Sequence, residues 1–325
     1  MLPKIQHYVP QFILANFCVN NGSQIYVFDK KQGTVFRTHI KNIAAEKGFY
    51  NFEEGEASVS IEPNLSQLES VAANLIKKII EEESLASVID EEKLLLSIFI
   101  AAQFARVKQT RITIKQLNDD LTDKIRAMGF DPNNVDGFTP QDETEVKKST
   151  VSGLRRSIAA YTPYIYDKAW LLFKAPKSTP HYISDNPITL QNMNDYSPRG
   201  NLGLAVKGIE IYFPISGRLS LGIFCRSYEE MIRTGYQKYV AIKRAGLLKK
   251  VGGETEGTAS VKRLKHGLET GDAVRSKKEN VINRNSLQVI YSTRFVYSGS
   301  DEFDLVREML EAHPELKEAP RMISS

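Results

Sequence analysis

Cysteine is almost missing from this chain. There are two, Cys18 and Cys225, far apart and each alone. No Cys-x-x-Cys pair exists, which argues against a zinc ribbon or a redox dithiol, and two solitary thiols suit a reducing compartment. Long apolar runs are missing too. The longest, Leu94 to Ala102, lies between Lys93 and Gln103. It is about half of the roughly 20 residues a membrane span needs, so a buried helix and no membrane association are expected. Neither sign of charge dominates: 43 Lys and Arg against 39 Asp and Glu leave a formal charge of +4, too small to demand a nucleic-acid partner. The start, Met1-Leu2-Pro3-Lys4-Ile5-Gln6-His7, has no basic stretch followed by an apolar core. A signal peptide is therefore not expected, and a cytoplasmic location is. The phosphate-cradling Gly-x-x-x-x-Gly-Lys-Ser/Thr loop, the Gly-x-Gly-x-x-Gly turn, His-Glu-x-x-His and Gly-x-Ser-x-Gly are all absent. Their absence argues against a P-loop ATPase, a dinucleotide-binding dehydrogenase, a zinc protease and an α/β-hydrolase.

What is present suits a globular chain: 325 residues, 42% of them hydrophobic and 25% charged, enough to bury a core without metal or disulfide. Alternation over Gln24–Asp29, a turn at Lys30-Lys31-Gln32-Gly33 and a second extended run from Thr34 to Ile40 predict a hairpin. Leu65, Leu68, Ala72, Leu75, Ile76 and Ile79 have helical spacing. A second helix is expected from about Glu91, capped by Asp90 and reaching Met128, where Gly129 and Pro132 stop it. A third is expected over 141–161. Later come strands at 169–173, 181–183, 206–214 and 219–224, a helix over 228–243, another over 279–294, and a polar helix over 301–310. Strands, then helices, then strands, then helices predict an α+β fold. It would have an N-terminal β-hairpin, a central long-helix bundle, and a C-terminal mixed or antiparallel sheet with flanking helices. One domain is expected over 1–300, helix-rich over 63–165 and strand-rich over 168–225. Residues 246–278, rich in glycine and lysine, read as a mobile basic loop, and 301–325 as a helix and tail.

Four polar constellations stand out. His7 and Tyr8 precede Pro10, with Gln11 and Asn16 after it; at a helix N-terminus they would suit an anion, with His7 as acid or base. The bland alternative is an N-terminal segment tied down by hydrogen bonds. Glu69 sits near the apolar stripe of its helix, where a carboxylate needs a cation or solvent. Gln103 and Arg106, at i and i+3 on the most apolar helix, suit either an anionic ligand or a structural tie to Glu69. Ser184-Asp185-Asn186-Pro187 follows a strand and reads as a tight turn or as a displayed carboxylate.

The opening His7-Tyr8-Val9-Pro10-Gln11-Phe12, with Leu14, Asn16 and Phe17, resembles the N-terminal signature of a bacterial family catalogued as domain of unknown function 4238. Asn42-Ile43 with Glu46, Phe49-Tyr50, Glu62, Glu69, Gln103, Arg106, the Ser184–Pro187 run, Asn285 and Arg294–Ser298 follow in order. The resemblance implies a cytoplasmic bacterial protein and no particular activity. A signature made of polar residues suggests one gathered site.

From this pattern the leading expectation is a metal-dependent nuclease or nucleotide or phosphoester hydrolase. His7, Glu69, Arg106 and Asp185 would be catalytic. Glu46, Glu69 and Asp185 would hold a divalent cation such as Mg²⁺. Tyr8, Gln11, Asn16, Gln103, Ser184, Asn186 and Asn285 would orient a phosphate-bearing small molecule or nucleic acid. The alternative is a non-catalytic binding module for a small anionic ligand or a protein partner, the latter met by 246–278.

Overall fold

The computed structural model describes residues 5–54, 57–194, 202–249 and 253–320. Strand β1 (Ile5–His7) is followed by a single-turn helix, α1 (Gln11–Ala15), and then by the expected hairpin, β2 (Gln24–Asp29) and β3 (Thr34–His39). Its turn closes because the Asp29 carboxylate accepts from the Lys31 amide (3.0 Å) and Gly33 takes a positive φ of 68°. After β3 comes a short 3-10 turn (Ile40–Asn42) and then strand β4 (Ala45–Lys47), which pairs with β1. β5 (Asn51–Glu54) and β6 (Ala57–Ser60) form a small hairpin.

Four long helices follow: α2 (Glu62–Glu82), α3 (Asp90–Ala105), α4 (Lys108–Ala127) and α5 (Glu143–Tyr166). The single helix expected up to Met128 is two helices. Val107 is extended (φ −70°, ψ 157°) and only 3% exposed, so the chain leaves the helix to bury a β-branched side chain. No glycine or proline marks this break. α5 starts two residues later and ends five later than expected. Asp142 and Glu145 cap it reciprocally, each accepting from the other's backbone amide (2.8 and 3.0 Å).

The second half supplies β7 (Ala169–Lys174), β8 (Ile183–Ser184), β9 (Thr189–Gln191), β10 (Glu210–Pro214), β11 (Leu219–Phe224), α6 (Arg226–Arg244), α7 (Glu256–Thr270), β12 (Val274–Arg275), α8 (Lys278–Tyr291), β13 (Phe295–Ser298) and α9 (Asp304–Ala312). The fold is α+β. A mixed sheet runs β12-β7-β11-β10-β9, parallel only between β12 and β7. A second sheet runs β3-β2-β13-β8, so the N-terminal hairpin is completed by strands from the far end of the chain.

The mixed sheet is covered on both faces. Leu172, Ile211, Phe213, Leu221 and Ile223 point into the main core with α2, α3 and α5. The alternate residues Leu171, Phe173, Tyr212 and Phe224 point the other way, beneath Tyr228 of α6, Leu264 and Leu268 of α7 and Leu287 of α8. Burial on both sides explains why β11 is apolar at nearly every position.

The expected basic loop at 246–278 is therefore a misreading of part of this layer. Thr255 caps α7 by accepting from the Thr258 amide (3.3 Å), and Gly271 ends it with φ 77°. Gly267 allows α7 to lie close to the sheet: a Cβ there would sit 2.4 Å from Val274 Cγ2. Residues 250–252 of this segment, 321–325 of the tail and the opening Met1–Lys4 lie outside the described residues. Among the described residues no helix is long and apolar enough to cross a membrane.

Candidate functional site

The N-terminal signature is built into the body of the protein. Gln103 Nε2 donates to the Tyr8 carbonyl (2.8 Å), and Gln103 Oε1 accepts from Arg106 Nε and Nη2 (3.0 and 2.8 Å). Arg106 Nη1 donates to Glu69 Oε1 (2.6 Å). The Arg106 side chain is 1% exposed, and these bonds tie α2, α3 and the segment after β1 together. Tyr50 OH donates to the His7 carbonyl (3.0 Å). Burial pushes the His7 imidazole below its usual value, against the raising effect of nearby backbone carbonyls and Glu69, and its Nε2 has no hydrogen-bond partner. Helix α1 has only five residues, too short for a useful dipole, and Gln11 and Asn16 are exposed. Asn16 Nδ2 donates to the Ile215 carbonyl (3.0 Å). His7, Gln11 and Asn16 are thus not gathered around an anion at a helix N-terminus as expected.

The Ser-Asp-Asn-Pro run is a turn locked against α8. Asp185 Oδ1 accepts from the Thr293 amide (2.7 Å). Its Oδ2 accepts from Thr293 Oγ1 (2.5 Å) and from the Arg294 and Phe295 amides (2.9 and 3.0 Å). Burial pushes the carboxyl up, and these four donors pull against that. Ser184 Oγ lies 2.9 Å from Gln288 Oε1 and accepts from the Asn186 amide (3.2 Å). Asn186 Nδ2 donates to the Tyr291 carbonyl (3.1 Å). Asn285 bridges the Tyr182 amide and the Pro180 carbonyl, both at 2.9 Å.

The expected metal centre is not assembled. Among the described residues no group of three or more His, Cys, Asp or Glu is placed to hold an ion. Glu46 pairs with Lys108 (2.6 Å), Glu69 with Arg106, and Asp185 with its amides. Part of the signature does converge: Tyr8, Glu46, Asp185 and Arg294 line one cavity of about 230 Å³. Its cations are already paired, Lys108 to Glu46 and Arg294 to Asp29 (2.6 Å). Sequence reasoning passed over Lys30 as a turn residue; its amide donates to the carbonyl of Arg294 (3.0 Å). Its Nζ is buried and donates to the Val289 and Ser292 carbonyls (3.0 and 2.8 Å) at the end of α8. Burial draws this lysine down to about 8.

A different cavity has unspent charge. It lies between the outer face of the mixed sheet, α7 and the start of α8, and encloses about 250 Å³. Phe173, Tyr212 and Phe224 form its floor, packed tightly because Gly222 leaves room: a Cβ there would sit 2.5 Å from Phe173. Arg263, Arg275, Lys277 and Arg284 line it, and Glu256 is the one carboxylate among the described lining residues. Glu256 Oε1 serves both Arg263 (2.6 Å) and Lys277 (3.2 Å). Arg284 is 7% exposed. It donates to Ser276 Oγ (2.9 Å) and lies over the rings of Phe173 (4.0 Å) and Tyr212 (5.2 Å). Its Nε has no partner, and it forms no ion pair among the described residues.

The groups around Arg284 do not cancel it at contact. Glu210 accepts from Tyr212 OH (2.6 Å), and burial pushes its carboxyl up. His181 is driven down to about 3, first by burial and then by Arg284, so it is neutral. Sequence reasoning missed Arg284. The signal was the spacing Val281, Arg284, Asn285, Gln288, a buried stripe that is three parts polar.

A family model described as protein of unknown function (DUF4238) matches residues 5–302. No curated protein and no solved structure matches the chain. With the match spanning β1 to the approach of α9, the chain belongs to the DUF4238 family.

Proposed function

We propose that this chain is a binding module for a small anionic ligand, held without turnover in the Arg284 cavity. One observation carries the reading: a guanidinium 7% exposed, with an unpartnered Nε and no carboxylate at ion-pair distance among the described residues. A buried charge of this kind calls for a counter-ion, because two aromatic faces, the Ser276 and Tyr212 hydroxyls and the more distant Glu210 offset only part of its desolvation. The surrounding Arg263, Arg275 and Lys277 favour the same sign of ligand. A metal-dependent hydrolase has less support, because Glu46, Glu69 and Asp185 are each engaged elsewhere.

The test is thermal denaturation of the purified protein in matched ionic strength, with chloride exchanged for phosphate, sulfate or succinate. A ligand at a hundred times its Kd stabilises by about 2.7 kcal/mol, a shift of several degrees. The expected result is a saturable rise in Tm that Arg284→Met removes, with the anion recovered unchanged after incubation with Mg²⁺. A rise of equal size in Arg284→Met, or conversion of the ligand, contradicts the proposal.

A further inference from the structure

The Arg284 cavity has a second anion-attracting feature that narrows the class of ligand. Helix α8 begins at Lys278, runs for 14 residues, and its N-cap Lys277 makes no side-chain cap bond. The first-turn amides of a helix have no intrahelical acceptor and carry the positive end of its dipole. Lys277, Asn280, Asn283 and Arg284, spanning the first two turns, all line the cavity. The uncapped helix start and the buried guanidinium with its unpartnered Nε therefore meet in one space.

The charge balance favours more than one negative charge. Arg263 and Lys277 share a single Glu256 oxygen, and Arg275 and Arg284 form no ion pair among the described residues. Ser260, Ser276 and Asn280 add neutral donors. The volume, about 250 Å³, falls below the roughly 300–1,000 Å³ of sites for drug-sized ligands.

Building on the anion-binding reading, we infer that the ligand is a small phosphate monoester bound as its dianion, with its phosphoryl oxygens between the α8 N-terminus and Arg284. A helix N-terminus offers several converging amides to a tetrahedral group with three charged oxygens, and an arginine fork fits two of them. A planar carboxylate uses fewer of these donors and supplies half the charge.

The experiment is isothermal titration of the full chain with glycerol 3-phosphate, glycerate and sulfate at pH 5 and pH 7.5. The second ionisation of a phosphate monoester lies near 6, so the dianion fraction rises about tenfold over this range. Glycerol 3-phosphate affinity should rise about tenfold in step. Sulfate, a dianion at both pH values, reports any change from the protein's own groups: Tyr212, Tyr228, Glu256, Arg263, Arg275 and Lys277 line the cavity, and His181 and Glu210 interact with Arg284 through their charge. It should stay flat. Glycerate should bind at least tenfold more weakly than glycerol 3-phosphate at pH 7.5.

Arg284→Met removes a buried group and risks the fold, so Asn280→Asp is the second variant. Asn280 is exposed and in the first turn of α8, where an aspartate suits the helix. Its carboxylate would compete for the same amides. Asn280→Asp should keep or raise the Tm and weaken glycerol 3-phosphate at least tenfold. Unchanged affinity in Asn280→Asp, equal binding of glycerate, or no rise with pH overturns the phosphate assignment while leaving an anion site in place. No binding of any of the three anions to the wild-type chain overturns the anion reading itself.

Discussion

Asp185 is the signature residue whose role the geometry defines most sharply, and its removal has a calculable cost. Its carboxylate is 1% exposed and takes four hydrogen bonds, three of them from the consecutive backbone amides of residues 293–295. These bonds hold the turn after β8 against the start of β13. A buried donor stranded by mutation costs about 1–3 kcal/mol. Asp185→Ala strands three amides and one hydroxyl; with partial relaxation and entry of water, a loss of about 4 kcal/mol is expected. Asp185→Asn is gentler. Its carbonyl oxygen can occupy the Oδ2 position and keep three donors, leaving one donor facing an amide NH₂, for a loss of about 2 kcal/mol. The assay is urea unfolding at pH 7 and 25 °C, with unchanged m-values as evidence of the same transition. If both variants unfold within 1 kcal/mol of the wild type, the carboxylate does not pin these segments together and the reasoning fails.

Three other expectations follow from the same geometry. Asp29 is held below the usual carboxylate range, burial opposing and Arg294 with the turn amides prevailing. Its contribution to stability should be complete above about pH 4 and fade as pH drops below that, and Asp29→Asn should flatten that part of an acid-unfolding profile. Lys30, drawn down to about 8 by burial, binds fewer protons folded than unfolded between about 8 and 10.4. Stability measured by urea unfolding should therefore rise with pH across that window, and Lys30→Met should abolish the rise. Gly222→Ala would press a Cβ to 2.5 Å from Phe173 and 2.6 Å from Phe224; a loss of about 1–3 kcal/mol is expected by thermal denaturation, with weaker anion binding as the cavity floor shifts.

The parts of the fold that follow local rules were legible in the sequence. The hairpin of β2 and β3 could be read from alternation and a Lys-Lys-Gln-Gly turn, and α2 from its stripe of Leu65, Ala72, Ile76 and Ile79, all buried. The break between α3 and α4 was not legible, because it is made by tertiary burial of Val107 and has no breaker residue. Helix α7 was hidden by its composition. Gly267 looks like flexibility in a sequence, whereas here it is a contact surface for Val274, and Thr255 and Gly271 are ordinary caps that a charge-rich window obscured. A polar residue in an apolar setting has two explanations, and spacing does not choose between them. Gln103, Arg106 and Asn285 turned out to be internal hydrogen-bond bridges. Arg284 is left with an unpartnered Nε and no ion pair among the described residues, and that property exists only in three dimensions.

The most direct test of the anion-site account is a backbone amide NMR titration of the labelled protein with glycerol 3-phosphate. The account predicts saturable shifts concentrated in Ser276–Arg284, at the start of α8 and around the buried guanidinium. Shifts centred instead on Tyr8, Glu46 and Asp185, with residues 276–284 unmoved, would contradict it.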